Sequence, residues 1–92
     1  MKFEWDDIKS EQNVKKHGVS FEEAQTVFLD PNAIEFYDNE HSKAEDRFVR
    51  LGISLKGNIL TVVFCEIINT AIRIISARKA TSKERMIYEE RI

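Results

Sequence analysis

The segment Ile72 to Arg85, IRIISARKATSKER, constrains the fold more than any other, because a β-branched strand and a capped helix meet in it within a few residues. Ile72, Ile74 and Ile75 favour an extended, sheet-paired backbone. Thr81-Ser82-Lys83-Glu84 then fits the S/T-x-x-E capping box, in which the threonine hydroxyl and the glutamate carboxylate satisfy orphan amides at a helix start. The chain must turn there from sheet to helix, and it carries Arg73, Arg78 and Lys79 into that corner. A guanidinium on a sheet face needs either a carboxylate partner or an anionic ligand. The sequence offers no evident acidic partner for Arg73.

With 92 residues the chain is expected to form one domain, residues 1–92, around a single core. Hydrophobic residues make up 42% and charged residues 33%, with three glycines and one proline, a folded rather than a disordered composition. No repeat, low-complexity tract or flexible linker is visible. The longest apolar run, Ile59 to Cys65, is interrupted by Thr61 and is far too short to span a bilayer, so no membrane contact is expected. The opening MKFEWDD lacks the apolar stretch of a signal peptide, and the single cysteine allows no internal disulfide. Both point to the cytoplasm. The net charge of −2 divides unevenly: residues 1–68 carry −5 and residues 69–92 carry +3. A protein of this balance has no broad basic surface for general nucleic-acid binding. Its basic corner reads as a local site.

Lys2 to Trp5 can form a first strand, and Asp6 or Asp7 an N-cap for a helix that stops near His17-Gly18. Ser20-Phe21-Glu22-Glu23 is a second capping box, with Val19 and Ala24 placed as a hydrophobic staple and Asp30-Pro31 as the stop. The period then changes to two, and Ala33–Tyr37, Arg47–Ser54, Ile59–Ile67 and Ala71–Ala77 read as strands, the middle pair joined by a turn at Lys56-Gly57-Asn58. The order β-α-α-β-β-β-β-α predicts an α+β domain: an antiparallel sheet with helices on one face and the other face partly open. Alternation sets Val49, Leu51 and Ile53 against Phe48, Arg50 and Gly52, and Arg73 against Ile72 and Ile74. On this pattern Arg50 and Arg73 are expected side by side on the open face.

The chemistry narrows by elimination. Cys65 lies in an apolar strand and His17 and His41 have no companion at ligand spacing, so neither a metal nor another cofactor is expected. No glycine loop suits a nucleotide triphosphate, and Ser42 and Ser76 are not set in a nucleophile elbow. What remains is cationic chemistry at phosphate. RNA can be cleaved through its own 2′-hydroxyl if one group moves a proton and cations stabilise the crowded phosphate, a task that suits the arginine fork. Arg50, Arg73, Arg78 and Lys79 are candidates for the cationic role, and His17, His41 or a lysine for proton transfer. Arg47 is expected to pair with a neighbouring carboxylate, Lys79 and Arg85 to be solvated or helix-end charges, and His17 to face the negative end of the first helix. Trp5 and Phe48 read as core aromatics. A non-enzymatic alternative also fits: a binding module that docks a partner protein through a sheet edge or the basic corner. No recognition helix with clustered arginines supports autonomous DNA binding.

Phe3-Glu4-Trp5-Asp6, NVKKHGVSFEEA (Asn13–Ala24), VFLDP (Val27–Pro31), DNEHSKAEDR (Asp38–Arg47) and IRIISARKATSKER occur in an order that resembles the BrnT toxin family, the ribonuclease half of bacterial BrnT–BrnA type II toxin-antitoxin systems. The resemblance implies a RelE-like fold, a metal-independent endoribonuclease that arrests translation, and a hetero-oligomer with a cognate BrnA-type antitoxin. DNA would be reached only indirectly, through that antitoxin. By position it implies Lys16 and His17, His41, Glu45 and Arg47, and Arg73, Arg78, Lys79 and Arg85 as the charged matches. The set expected to act on RNA is Arg50, Arg73, Arg78, His17 and His41 in catalysis, with Lys16, Arg47, Lys79 and Arg85 in binding. One stretch departs from the family pattern: where a polar hairpin is usual, this chain has Cys65-Glu66-Ile67-Ile68-Asn69-Thr70, which suggests a longer strand or an exposed apolar patch.

Overall fold

The computed structural model describes residues 1–68 and 70–91. In it each helix begins at a side chain the sequence supplies for that purpose. The Asp6 carboxylate accepts from the backbone N–H groups of Ile8 and Lys9, at 2.9 and 3.1 Å, and opens helix α1 (Asp7–His17). Gly18 ends it at φ 71°, a left-handed conformation that a side chain would strain. The Ser20 hydroxyl accepts from Glu23 N–H and opens α2 (Phe21–Gln25). The capping box expected there is only half formed. The Glu23 carboxylate reaches instead to Ser54 Oγ and Asn58 Nδ2, at 2.7 and 2.8 Å, and so pins the Ser54–Asn58 turn to the helix. Burial alone would raise its pKa, but the hydrogen bonds from Asn58 and Ser54 outweigh burial and hold it below the ordinary value. The chain leaves α2 through a 3-10 turn, Thr26–Leu29, which ends at Asp30.

The strands are β1 (Lys2–Glu4), β2 (Ile34–Tyr37), β3 (Phe48–Ile53), β4 (Ile59–Ile67) and β5 (Ala71–Lys79), and α3 (Ser82–Glu89) follows behind a complete Thr81–Glu84 capping box. The element order and the α+β class are those expected. The sheet runs β1-β5-β4-β3-β2 and is mixed: β1 lies parallel to β5, whereas every other pair is antiparallel. The expected purely antiparallel sheet is corrected in that respect. β5 extends to Lys79, two residues beyond its expected end, because Arg78 and Lys79 pair with Thr61 and Leu60. The pairing with β1 covers only Ala71, Ile72 and Arg73. From Ile74 onward β5 is therefore the edge of the sheet on that side, and at Ala77 a side chain substitutes for the missing strand. Buried Asn13 donates to Ala77 O and Val19 O, both at 2.8 Å, and accepts from Ala77 N at 3.1 Å.

α1, α2 and the 3-10 turn cover one sheet face. Val19, Phe21, Ala24 and Val27 pack there against Leu60, Val62, Ile74 and Ala77. Complete burial of a side chain such as Phe21 contributes about 1.5–3 kcal/mol. Trp5 meets Phe21 edge-on at 6.0 Å and packs on the core as expected, and half-buried Phe48 packs on Tyr37 and on buried Phe64. The opposite face presents Val49, Leu51, Thr61 and Val63. Here the expectation of helices on one face only is corrected. α3 folds over one end of this second face, fixed by Glu84 to Thr61 and by Tyr88, whose hydroxyl donates to the Asp30 carboxylate. Burial and then that carboxylate raise the Tyr88 pKa to about 12. Gly52 allows Asp30 to come so close: a Cβ there would stand 3.0 Å from Ala33 Cβ and 3.2 Å from Asp30 Oδ2. At the far end β4 stops at Ile67, Ile68 is exposed, and Asn69 of the unusual hairpin lies outside the described residues.

Candidate active site

On the second face, beside α3, lies a hollow of about 350 Å³. Val49, Thr61, Val63 and Ser76 form its floor, one or two from each of the three central strands. A bulge gives β5 an extra residue at this point. Val63 faces Ser76 and Phe64 faces Ile74, which leaves Ile75 between them at the rim. Phe36 closes the side toward β2. The polar groups come from two places, the loop before β3 and the junction of β5 with α3.

The loop is organised by Ser42. Its hydroxyl donates to Asp38 O at 2.6 Å and accepts from Arg47 N–H at 2.9 Å, while Asp38 N–H donates to Arg47 O at 2.9 Å. These bonds bring His41 and Arg47 to the same rim. The Asp38 carboxylate accepts from His41 Nδ1 at 3.0 Å. A carboxylate can only accept, so Nδ1 carries the proton and Nε2 is left to take or give one. Arg47 stands 3.7 Å from Glu45, too far for a good hydrogen bond, and its Nε is buried without a partner among the described residues. It is a guanidinium with unused donors.

At the other rim Arg78 makes a two-pronged pair with Glu84, at 2.7 and 3.0 Å. Glu84 Oε1 also accepts from Thr61 Oγ1 at 3.0 Å and from Thr81 N–H at 2.8 Å. One carboxylate thereby caps α3, fixes a floor hydroxyl and aims an arginine. The Arg78 hydrogen bonds, opposed by burial, draw the Glu84 pKa down to about 2, and Glu84 in turn holds Arg78 firmly charged. Arg78 Nη1 also donates to Lys79 O at 3.4 Å, and donors are still left, since an arginine carries five N–H groups and three bonds are made here. Each cation at the hollow has a carboxylate nearby, so an anion would be held by directed donors rather than by a strong net field.

Other expected site residues are placed elsewhere. Arg50 and Arg73 do not lie side by side, and that expectation is corrected. Arg50 pairs in register with Val62 on the helix-covered face, whereas Arg73 pairs with Cys65 on the open one. Arg50 Nε and Nη2 donate to Val27 O and Asp30 O, both at 3.0 Å, Nη1 meets Glu35, and the guanidinium lies 5.0 Å from the Phe28 ring centroid. Arg73 has an acidic partner after all. Glu4 accepts from its Nε and Nη2 at 3.1 and 2.9 Å, brought there by the parallel pairing of β1. It stands five residues from Arg78, roughly 17 Å along the strand at 3.3 Å per residue, and does not line the hollow. His17 is in the last turn of α1, as expected, and borders a separate shallow hollow with Lys16. Lys79 is exposed and its charge acts on Glu23, on the other side of the sheet from Arg78; Arg85 is exposed on α3. Asp38, Thr61, Ser76 and Glu84 belong to the hollow although sequence reasoning did not select them. Only Asp38, three residues before His41, and Glu84, in the capping box, left a signal to follow. No group of three or more His, Cys, Asp or Glu side chains able to hold a metal occurs among the described residues, and no helix among them is long and apolar enough to cross a membrane.

A family model described as the ribonuclease toxin BrnT of type II toxin-antitoxin systems matches residues 5–84. The crystal structure of the Brucella abortus ribonuclease toxin BrnT is similar to this fold, with a TM-score of 0.71 and 30% sequence identity over 89% of this chain and 99% of that one. No curated protein matches the sequence.

Proposed function

The chain belongs to the BrnT family of type II toxin-antitoxin ribonuclease toxins, and from that premise we propose that it cuts RNA in the hollow formed by His41, Arg47 and Arg78, without a metal ion. The supporting observation is the convergence there of a histidine held by a carboxylate, an arginine with an unpartnered buried nitrogen and an arginine aimed by Glu84. In this reading Arg47 and Arg78 hold the non-bridging oxygens of one phosphodiester. His41 Nε2 takes the proton of the adjacent 2′-hydroxyl, the 2′-oxygen bonds to phosphorus, and the bond from phosphorus to the 5′-oxygen breaks. The leaving oxygen takes a proton from solvent, which reaches the open hollow. The products are a 2′,3′-cyclic phosphate and a 5′-hydroxyl. Asp38 keeps Nδ1 protonated and stabilises the imidazolium that forms, as carboxylates do for catalytic histidines elsewhere.

Cleavage of cellular RNA by such a site would arrest translation in the cytoplasm. A BrnA-type protein antitoxin, bound as a hetero-oligomer, would restrain it, and would supply any contact with DNA.

The test is purified protein with RNA in the presence of a chelator. The His41→Ala variant should cleave slower by roughly 10² to 10⁴, the range for loss of a positioned acid or base, and should no longer arrest growth. Wild-type rates in this variant, or loss of wild-type cleavage on chelation, would count against the mechanism.

A further inference from the structure

Ile75 and Ser76 line the candidate active hollow and also a second hollow of about 180 Å³ between β5 and α1. Both are lined by the stretch of β5 that has no strand beside it, after the pairing with β1 ends at Arg73 and before Asn13 covers Ala77. Lys9, Gln12, Lys16 and His17 form the helical wall. Residues 9, 12 and 16 follow the three-to-four spacing that sets side chains on one helix face. No carboxylate lines this hollow, and no ion pair among the described residues involves Lys9 or Lys16. Asp7 and Glu11 of the same helix are not part of its wall.

Exposed lysines ordinarily do no more than solubilise a helix. These two differ in lying on an acid-free wall of a hollow that shares Ile75 and Ser76 with one already read as a phosphate site. We propose that the α1–β5 hollow is a second phosphate subsite, in which Lys9 and Lys16 hold the backbone of nucleotides flanking the one that is cut. The RNA strand then crosses the uncovered edge of β5 at Ile75 and Ser76. The proposal rests on the reading of the first hollow as the cleavage site. It adds a reason for the enzyme to prefer long RNA to a short fragment, since a fragment that fills the first hollow would not reach the lysines.

Affinity for end-labelled, 2′-O-methylated RNA of mixed sequence, three and eight nucleotides long, tests this when measured by fluorescence anisotropy over a range of salt. The Lys9→Gln/Lys16→Gln protein should bind the eight-nucleotide probe several-fold more weakly. Its slope of log affinity against log salt should be shallower by about 1.4, from about 0.7 per phosphate contact on a single strand. Its affinity for the three-nucleotide probe should stay within about twofold of wild type. An unchanged slope on the long probe, or equal loss at both lengths, overturns the subsite. The Arg47→Ala protein separates this from the premise: it should weaken both probes. If it weakens neither, or if the wild type binds neither, the first hollow is not the RNA site and the subsite falls with it.

Discussion

Arg50 and Arg78 occupy two strands of one sheet, β3 and β5, with β4 between them, and each faces a glutamate, yet they are used in opposite ways. On the helix-covered face Arg50 is 16% exposed, and its donors are consumed by Val27 O, Asp30 O and Glu35 while Phe28 lies under the guanidinium. It ties the 3-10 turn and Asp30 to the sheet. On the open face Arg78 is 41% exposed and keeps unengaged N–H groups at the hollow it shares with Arg47, whose Nε has no partner among the described residues. The lesson is that an arginine on a strand is assigned by what its donors have left to do. Residue type and strand position alone do not decide it.

Exchanging the fates of these arginines is the sharpest way to break the comparison. Arg47→Ala should cost roughly 10² to 10³ in RNA cleavage, as for loss of one preorganised donor to a charged transition state, with little change in melting temperature. Arg50→Ala should do the reverse. It removes the guanidinium's hydrogen bonds to the Val27 and Asp30 carbonyls at a cost of about 1–3 kcal/mol, at about 4–8 °C per kcal/mol for a domain of this size, while the folded protein keeps its cleavage rate. A cleavage loss in Arg50→Ala at temperatures where it remains folded would dissolve the distinction between the faces.

A smaller effect concerns acid stability. Glu84 has its pKa lowered from 4.5 to about 2 in the folded protein. A depressed carboxylate contributes stability that is fully present above its unfolded value and is lost as pH falls through the folded one. Denaturant melts should therefore show stability draining away between pH 4.5 and 2. The Glu84→Gln variant, which cannot titrate, should be less stable near neutrality and should show a flatter profile in that window. An identical slope in both proteins would mean that the Arg78–Glu84 pair contributes nothing to the fold.

Much of this architecture was legible locally. Asp6, Ser20 and Thr81 announce their helices, Gly18 and Asp30 end theirs, and the four later strands follow from alternation. The failures share a physical cause: they depend on contacts between residues far apart in the chain. Glu4 meets Arg73 only because β1 pairs parallel with β5, which no local pattern encodes. Alternation separated Arg50 from Val49 and Leu51, but one strand cannot say which of its faces the helices will cover. Glu23 left its capping box because a turn thirty-odd residues later offered two donors to its carboxylate. At the candidate site His41 and Arg78 were recognisable by type, and Arg47 was expected to pair with a neighbouring carboxylate, as it does loosely with Glu45 at 3.7 Å, and to contact RNA. Its unpartnered Nε required the folded loop around Ser42.

The central claim is that RNA is held on the open face. Backbone and side-chain NMR shifts of the protein titrated with a non-cleavable 2′-O-methylated RNA test it most directly. The account predicts the largest changes at His41, Arg47, Thr61, Ser76 and Arg78, with Arg50 and its carbonyl partners Val27 and Asp30 unmoved. Changes centred on Arg50 and the 3-10 turn, with the His41 and Arg78 signals still, would contradict it.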